Sequence, residues 1–537
     1  MLKRWWKADA TGSAQAEPIK LDLALLAVLT LAMALILKAM WYTTEVQEPD
    51  NYVEALGMLQ GCASGLREHG PLHYARWLSF GYPPLAYLWG HGVDLCQRDN
   101  AFRVINSIGH TFAILTLPLL WLALRAGYGR TAAWIGALLY VLSPIFLEVG
   151  ASGHQILTAF ACFLAAFALL VSDFRGPWRL ITALLATVLL TAALTVRFEV
   201  AFALPWLVLT HTGALNARSV IRGLIVRLTP SVVALVAFFV LRQVLVGPEI
   251  HGQEGSFFDA FFKLANLLRG LAAPVLALGL ASTALAGVAL VSEIYRLARD
   301  PRRSLALGQA IPLLGPLALI GFALLFWTFN PMPARHFMML VVGACAIIAI
   351  VAARRLNLSL PVVLVAVLGI AAANQLLSEA TRPLLMRLID PHIRRPLATI
   401  VSAPTGFAWE RHRLVKARAA EETAFGDSVA AATCNPRLVV ISDQSAHLAT
   451  SLFRHGPLPT LTAGDYGGAV RVQARWPDRA IDYIYRSRNQ RTDLPAEVLA
   501  DPTYAGWKVI QDPWARLMSD ATDVPESRAP TIDCGGR

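Results

Sequence analysis

The stretch FRVINSIGHTFAILTLPLLWLALRAGYGRTAAWIGALLYVLSPIFLEVGASGH, residues 102–154, determines the class of fold. It contains two apolar runs, each close to the roughly 20 residues that a helix needs to cross a lipid bilayer. The turn RAGYGR, residues 125–130, separates them and carries two arginines. Basic turns between apolar runs are typical of membrane-spanning helices, because Lys and Arg favour the cytoplasmic side. The stretch therefore predicts a polytopic α-helical membrane protein.

The composition of the whole chain agrees with this prediction. Of 537 residues, 56% are hydrophobic and 15% are charged, whereas typical soluble domains are roughly 25% charged. The high apolar content and the count of 6 cysteines exclude disordered, collagen-like and disulfide-scaffold proteins. The net charge of +11 then indicates either membrane orientation or an anionic partner.

Outward from this hairpin, apolar runs recur along most of the chain. They lie at 21–42, 103–124, 131–149, 155–172, 180–197, 199–213, 228–247, 268–291, 305–329, 337–353 and 359–377. We expect about 11 transmembrane helices within a domain of residues 21–377, after a basic cytoplasmic N-terminus, residues 1–20. Residues 82–96 are too short to span and begin with two prolines after Tyr82, so they suit a juxtamembrane or re-entrant helix.

Arginines fall in every second turn, which supports this count. They are Arg125, Arg130, Arg175, Arg179, Arg218, Arg222, Arg227, Arg296, Arg299, Arg302, Arg303, Arg354 and Arg355. The alternation places these turns in the cytoplasm and accounts for most of the basic charge. Residues 43–102 then form the first outer loop, and residues 378–537 lie outside, in the periplasm of a Gram-negative cell.

The last 160 residues or so are polar, with frequent Pro, Gly and Asp. Residues 437–442, 480–485 and 506–510 predict strands, and 445–455 predict a helix. We expect residues 378–537 to form a small extracytoplasmic α/β domain.

The cysteines agree with this topology. Cys62 and Cys96 share the first outer loop, while Cys434 and Cys534 share the C-terminal domain. An oxidising compartment favours two disulfides, with free thiols as the alternative. Cys162 and Cys345 lie in apolar spans and are expected to be small packing residues.

Several motifs occur in an order that resembles a known family. They are PDNYVEAL at 49–56, YPPLAYLWG at 82–90, the hairpin at 102–154, TVRFEVAFALPWLVL at 195–209 and PARHFMML at 333–340. Together they resemble the GT-C membrane glycosyltransferases of the protein-mannosyltransferase and aminoarabinose-transferase clan. The resemblance covers about residues 20–355 and implies transfer of a sugar from a polyprenyl-phosphate donor.

The resemblance also implies roles for particular residues. Asp50 matches the first acid of the family's membrane-surface pair and would be the catalytic base, but Asn51 replaces the second acid. His154 matches a basic position in the second outer loop, where Ile156 replaces the following acid and Glu148 is the nearby substitute. Glu48 and Tyr52 flank Asp50 and are expected to contact substrate. From the residues alone, a solvated acidic loop is the preferred interpretation of Asp50.

The leaving lipid phosphate carries developing negative charge, which cations at the outer helix ends would stabilise. The candidates are Arg335, His336, Arg197 and Arg242. Arg197 has the alternative of pairing with Glu199, and Arg242 that of extending toward the membrane surface.

The leading hypothesis is an inverting membrane glycosyltransferase of the bacterial inner membrane that acts at its outer face. Its partners would be a polyprenyl-phosphate sugar, a lipid, glycan or protein acceptor, and membrane lipids, with no nucleic acid. A lipid-linked glycan transporter or flippase and a non-catalytic assembly partner are the alternatives. No cofactor is assigned, and a divalent cation remains open because the acidic pair is incomplete.

The alternation of basic turns predicts the side on which each turn lies. Alkaline phosphatase, which folds only outside the cytoplasm, should be inactive when fused after Arg303 and active when fused after Gly255. Enzyme activity of the two fusions, normalised to the amount of fusion protein, checks this. The reverse pattern would contradict the assigned orientation.

Overall fold

The computed structural model describes most of the apolar part of the chain and four strand segments. The described residues are 18–40, 80–95, 97–172, 177–210, 217–245, 275, 277–299, 307–327, 337–356, 358–389, 438–441, 460–463, 483–486 and 508–511. Each of the eleven predicted apolar runs overlaps a helix within these residues.

The helices follow one another with short turns between many of them. They are α1 (Pro18–Met40), α2 (Tyr82–Trp89), α3 (Arg98–Tyr128), α4 (Arg130–Val141), α5 (Pro144–Ala151), α6 (Gln155–Val171), α7 (Pro177–Val196), α8 (Leu204–Leu209), α9 (Ala217–Leu245), α10 (Leu280–Arg299), α11 (Leu307–Trp327), α12 (Met338–Arg355) and α13 (Leu360–Ile389). A 3₁₀ helix, Phe198–Ala203, joins α7 to α8.

Five of these helices are long and apolar enough to cross a membrane, namely α1, α3, α7, α9 and α12. Helices α4 and α5 together make a sixth span, although they are bent by 60°. The described residues therefore support five or six spans by length and composition, against the 11 predicted. The difference has a physical cause, because α6 has only 17 residues, α8 is short, and α11 contains Pro312 and Pro316.

The chain falls into two compact units. The first comprises Met1–Trp41, Ile108–Gly247 and Gln253–Arg411, and the second comprises Tyr42–Ser107, Pro248–Gly252 and His412–Arg537. Helix α2 belongs to the second unit and has 8 residues, so it is too short to span, as the sequence predicts. It binds the start of α3, since Tyr82 donates to the Ile105 carbonyl (3.1 Å) and Trp89 to the Ser107 hydroxyl (3.0 Å).

A buried carboxylate near the start of α1 organises the first unit. Asp22 is completely buried and accepts two hydrogen bonds of 2.7 Å from the Arg130 guanidinium. Arg125 and the Trp134 indole each donate to it at 3.1 Å. One side chain thus joins α1 to both helices of the predicted hairpin. The two arginines that indicated orientation also neutralise a buried charge, which favours one arrangement of these helices.

A second buried carboxylate, that of Glu293, also joins two helices through arginines. Glu293 in α10 is buried and accepts from Arg296 in its own helix (2.5 Å) and from Arg355 at the end of α12 (2.8 Å). This pair joins α10 to α12 at their basic ends.

Further contacts join helix ends within the first unit. Tyr128, at the end of α3, shares a 2.9 Å hydrogen bond with Thr210, just after α8. Arg227 in the first half of α9 donates to the Val208 carbonyl in α8. These contacts, like those of Asp22 and Glu293, join helix ends that the sequence places on one side. We refer to this side of the first unit as the arginine end.

Two turns shape the hairpin around α4. Gly129 has a φ of +89°, a conformation that favours glycine, so the chain reverses between α3 and α4 within one residue. Ser143 and Pro144 separate α4 from α5, because Pro144 has no backbone N–H to continue the α4 hydrogen bonds. The Ser143 hydroxyl donates to the Tyr140 carbonyl at 2.6 Å, which satisfies one of the freed groups.

The C-terminal residues contain a parallel sheet in the second unit. Its strands are β1 (Leu438–Ile441), β2 (Thr460–Ala463), β3 (Tyr483–Arg486) and β4 (Lys508–Gln511), in the order β2-β1-β3-β4. Leu438 pairs with Thr460 on one side and Tyr483 on the other. Three strands overlap the predicted runs, whereas β2 was not predicted. Parallel strands require crossover connections, but the predicted helix at 445–455 lies outside the described residues. The α/β domain therefore stays a prediction.

The Asp22 contacts predict a measurable contribution to stability. Asp22→Asn leaves two arginines without their counter-charge, and we expect a loss of about 2–3 kcal/mol in the free energy of unfolding, because Arg130 is partly exposed. Lys20→Gln, on an exposed position of the same helix, is the matched control and should change little. Unfolding of the purified protein in detergent measures both, and equal stability of the two variants would contradict this role of Asp22.

Candidate functional site

The turn between α5 and α6, at the end of α5 away from the arginine end, carries His154, one of the predicted site residues that the structure describes. His154 is completely buried and forms the N-cap of α6, where its Nδ1 accepts the Ile156 N–H at 3.0 Å. In that arrangement the neutral ring carries its proton on Nε2. Ile156 is itself buried, so an apolar side chain stands where the resemblance implies an acid.

The turn is fixed by hydrogen bonds and by close backbone packing. His110 in α3 donates from Nε2 to the Ala151 carbonyl at 2.9 Å, and Ser152 donates to the Val149 carbonyl at 3.0 Å. Gly109 lies against the backbone of Gly153, so closely that any Cβ at position 109 would overlap the Gly153 carbonyl. Helix α3 therefore holds the α5–α6 turn, and with it His154, in one position.

The first turn of α6 contains polar groups that the fold leaves without hydrogen bonds. Gln155 is completely buried, yet within the described residues neither the nitrogen nor the oxygen of its amide has a hydrogen-bond partner. Thr158, one turn further along the same face, is also completely buried and its hydroxyl has none. A buried polar group without a partner costs about 1–3 kcal/mol, so these groups are suited to bind a molecule that both donates and accepts hydrogen bonds.

Sequence reasoning missed Gln155 and Thr158. The available signal was a glutamine and a threonine, three residues apart, at the start of an otherwise apolar helix. That spacing puts both side chains on one helix face. The sequence alone gave no means of seeing that they are buried and unpartnered.

Arg197 lies between α7 and the 3₁₀ helix and is 5% exposed. Its Nε is 2.9 Å from an Oε2 oxygen of Glu199, so the ion pair given as the structural alternative is present. The 3₁₀ helix packs on α6 and α7, so Arg197 lies at the same end of the first unit as His154. A buried arginine at membrane depth is a candidate for function even when it is paired.

The remaining predicted site residues lie elsewhere in the chain or outside the described residues. Arg242 is partly buried in the last turn of α9. Glu148 lies in α5 by its backbone. The other candidates lie outside the described residues, namely Asp50, Asn51, Glu48, Tyr52, Arg335, His336, Cys62, Cys96, Cys434 and Cys534. Arg335 and His336 directly precede the described start of α12.

Two smaller predictions can be compared with the described residues. Cys162 and Cys345 are free thiols, and Cys345 is buried in α12, as expected for packing residues. Within the described part of the chain, no group of three or more His, Cys, Asp or Glu side chains could hold a metal ion.

The fold is similar to that of the solved membrane protein ArnT. It matches the crystal structure of ArnT from Cupriavidus metallidurans bound to undecaprenyl phosphate, with a TM-score of 0.51 and 16% identity over 86% of this chain and 89% of ArnT. The apo structure of the same ArnT matches with a TM-score of 0.51 and 15% identity over 87% and 90%. No protein-family model and no curated protein matches the sequence.

The sequence motifs resemble a clan that includes aminoarabinose transferases, and the solved structures that the fold matches are those of ArnT. The resemblance drawn from the sequence motifs is therefore confirmed at the level of the fold. At 16% identity the likeness concerns the fold and assigns no residue a role.

The unpartnered groups of α6 predict an unusual effect on stability. Replacing Gln155 and Thr158 with Leu and Val removes buried polar atoms without breaking a hydrogen bond, so the melting temperature should stay the same or rise. His110→Leu breaks the bond to Ala151 and should lower it. Thermal unfolding in detergent compares the two variants. A lower melting temperature for the Gln155/Thr158 variant would show that these groups serve the fold.

Proposed function

We propose that this protein is an integral-membrane glycosyltransferase that moves a sugar from a polyprenyl-phosphate donor to an acceptor hydroxyl. The observation that carries the proposal is the ArnT-like fold over 86% of the chain. A fold alone does not define chemistry. The buried face of α6 that carries Gln155 and Thr158 adds support, because its polar groups have no partner among the described residues and could bind a polar molecule.

A sugar is a suitable occupant for that face. Its hydroxyl groups both donate and accept, as the Gln155 amide does, and one hydroxyl can satisfy Thr158. His154 fixes the start of α6, because its ring accepts the Ile156 N–H, and so helps to hold both side chains in place. Gln155 and Thr158 would bind the donor by hydrogen bonds, while the isoprenoid chain remains in the lipid.

The reaction consists of one displacement. Asp50 takes the proton from the acceptor hydroxyl while the oxygen of that hydroxyl attacks the anomeric carbon of the sugar. The bond from that carbon to the phosphate oxygen breaks, so the configuration inverts and polyprenyl phosphate leaves with its negative charge. Arg197, Arg335 and His336 stabilise this charge, Arg by two parallel hydrogen bonds to phosphate. Glu48, Tyr52 and Glu148 contact the substrates.

The proposal includes a location and a division of the chain. The protein lies in the bacterial inner membrane and acts on its periplasmic side, with residues 1–20 in the cytoplasm. Residues 21–377 bind the donor, and residues 378–537 form an extracytoplasmic domain that helps to bind the acceptor or to close the site. Disulfides Cys62–Cys96 and Cys434–Cys534 stabilise the outer parts.

Substitution of Asp50 tests the assigned chemistry. In Asp50→Asn the residue cannot accept the acceptor's proton, so turnover should fall by about 100-fold or more. The matched control is Glu54→Gln in the same acidic loop, which should retain activity. The assay incubates purified protein with undecaprenyl-phosphate sugars and cell-envelope extracts and measures release of undecaprenyl phosphate. Undiminished turnover in Asp50→Asn would eliminate Asp50 as the base.

The same assay distinguishes an enzyme from a transporter. In sealed vesicles, an enzyme consumes the lipid-linked sugar when acceptor is added, and product appears in equal amount. Movement of the intact donor across the bilayer without consumption would contradict the proposal and indicate a flippase.

A further inference from the structure

Two arginines of the arginine end lie apart from its ion pairs. Arg125 and Arg130 bind Asp22, and Arg296 and Arg355 bind Glu293. Arg179, near the start of α7, and Arg222, near the start of α9, form no ion pair within the part of the chain that the structure describes. The paired arginines serve the packing of helices, whereas Arg179 and Arg222 are available to a molecule outside the protein.

Arg179 and Arg222 line one groove between two neighbouring spans. The groove has a volume of about 510 Å³, and its remaining walls are Ile221, Ile225 and Val226. Helices α7 and α9 pack against each other and both begin at the arginine end. Two cations thus stand over an apolar floor where a membrane surface would lie.

The apolar floor continues along the exposed side of α9. Ile221 and Ile225 are each 56% exposed, followed on the same face by Leu228 at 43% and Val232 at 46%. From Ile221 to Val232 the helix rises by roughly 16 Å. This length is close to half of the roughly 30 Å hydrocarbon thickness of a bilayer. A lipid chain of one leaflet fits along this stripe.

We propose that this groove binds an anionic phospholipid of the leaflet at the arginine end. The phosphate diester would receive hydrogen bonds from the Arg179 and Arg222 guanidinium groups, which bind phosphate in a bidentate manner. One acyl chain would lie on the α9 stripe. A zwitterionic phospholipid is disfavoured because its ammonium group would approach the same two cations.

Competition between two phospholipids tests the proposal. The purified full-length protein is equilibrated with equal amounts of palmitoyl-oleoyl phosphatidylglycerol and phosphatidylethanolamine, and retained lipids are counted by native mass spectrometry. The wild type should retain phosphatidylglycerol preferentially. Arg179→Gln combined with Arg222→Gln should reduce its retention by about 30-fold, from two arginine contacts near a membrane surface. Arg302→Gln combined with Arg303→Gln removes two charges on the same predicted side and should retain it.

The outcomes that overturn the proposal are distinct. Equal retention of the two phospholipids by the wild type would show that the groove does not prefer an anionic phospholipid. Equal loss of phosphatidylglycerol in both double variants would show a general effect of positive charge and not a site at Arg179 and Arg222. Displacement of phosphatidylglycerol by added undecaprenyl phosphate, lost in the Arg179/Arg222 variant, would assign the groove to an isoprenoid phosphate. The single variant Arg222→Gln, at an exposed position, should still weaken retention about 5-fold if the double variant unfolds.

Discussion

The buried carboxylate of Asp22 is the constraint on which the arrangement of the first unit depends. A lone carboxylate in an apolar domain is costly, and here Arg130 and Arg125 neutralise it while Trp134 donates a further hydrogen bond. Because these partners lie on α3 and α4, the first helix has one favourable position beside the hairpin. At the other end of α1, Leu37 packs against Gly150. The ion cluster thus also determines how α1 meets the α5–α6 turn.

The two ends of the first unit differ in how their polar groups are satisfied. At the arginine end, Asp22 and Glu293 have charged partners in neighbouring helices, and Tyr128 bonds to Thr210 and accepts the Trp206 indole N–H at 2.8 Å. At the α5–α6 turn, His154 caps a helix, but Gln155 and Thr158 are buried without hydrogen-bond partners among the residues that the structure describes. The Trp121 indole N–H near the arginine end is also buried without a partner among those residues, but Gln155 and Thr158 lie together on one helix face. Two such groups side by side, together with the ArnT-like fold, are the basis for proposing a substrate site at this turn.

Sequence patterns predicted the helical membrane class, the hairpin around RAGYGR and three strands of the C-terminal sheet. They succeeded because hydrophobic length and basic turns follow directly from the bilayer. They did not predict that Asp22 binds Arg125 and Arg130, which lie 103 and 108 residues away, because long-range pairing leaves no local pattern. Strand β2 was missed because LPTLTA contains a proline and too few β-branched apolar residues to stand out. For the site, His154 came from a family motif, whereas Gln155 became a candidate only once its burial was known.

The central claim is that a polyprenyl phosphate binds at the end of the first unit that contains the α5–α6 turn. Undecaprenyl phosphate carrying a diazirine in its first isoprene unit, illuminated with the purified protein, would attach to residues beside the phosphate, and mass spectrometry of the peptides would locate them. The account predicts labelling of peptides that contain residues 150–158 or 195–203, suppressed by excess undecaprenyl phosphate. Labelling confined to the arginine end, at peptides around Arg179 and Arg222, would contradict it.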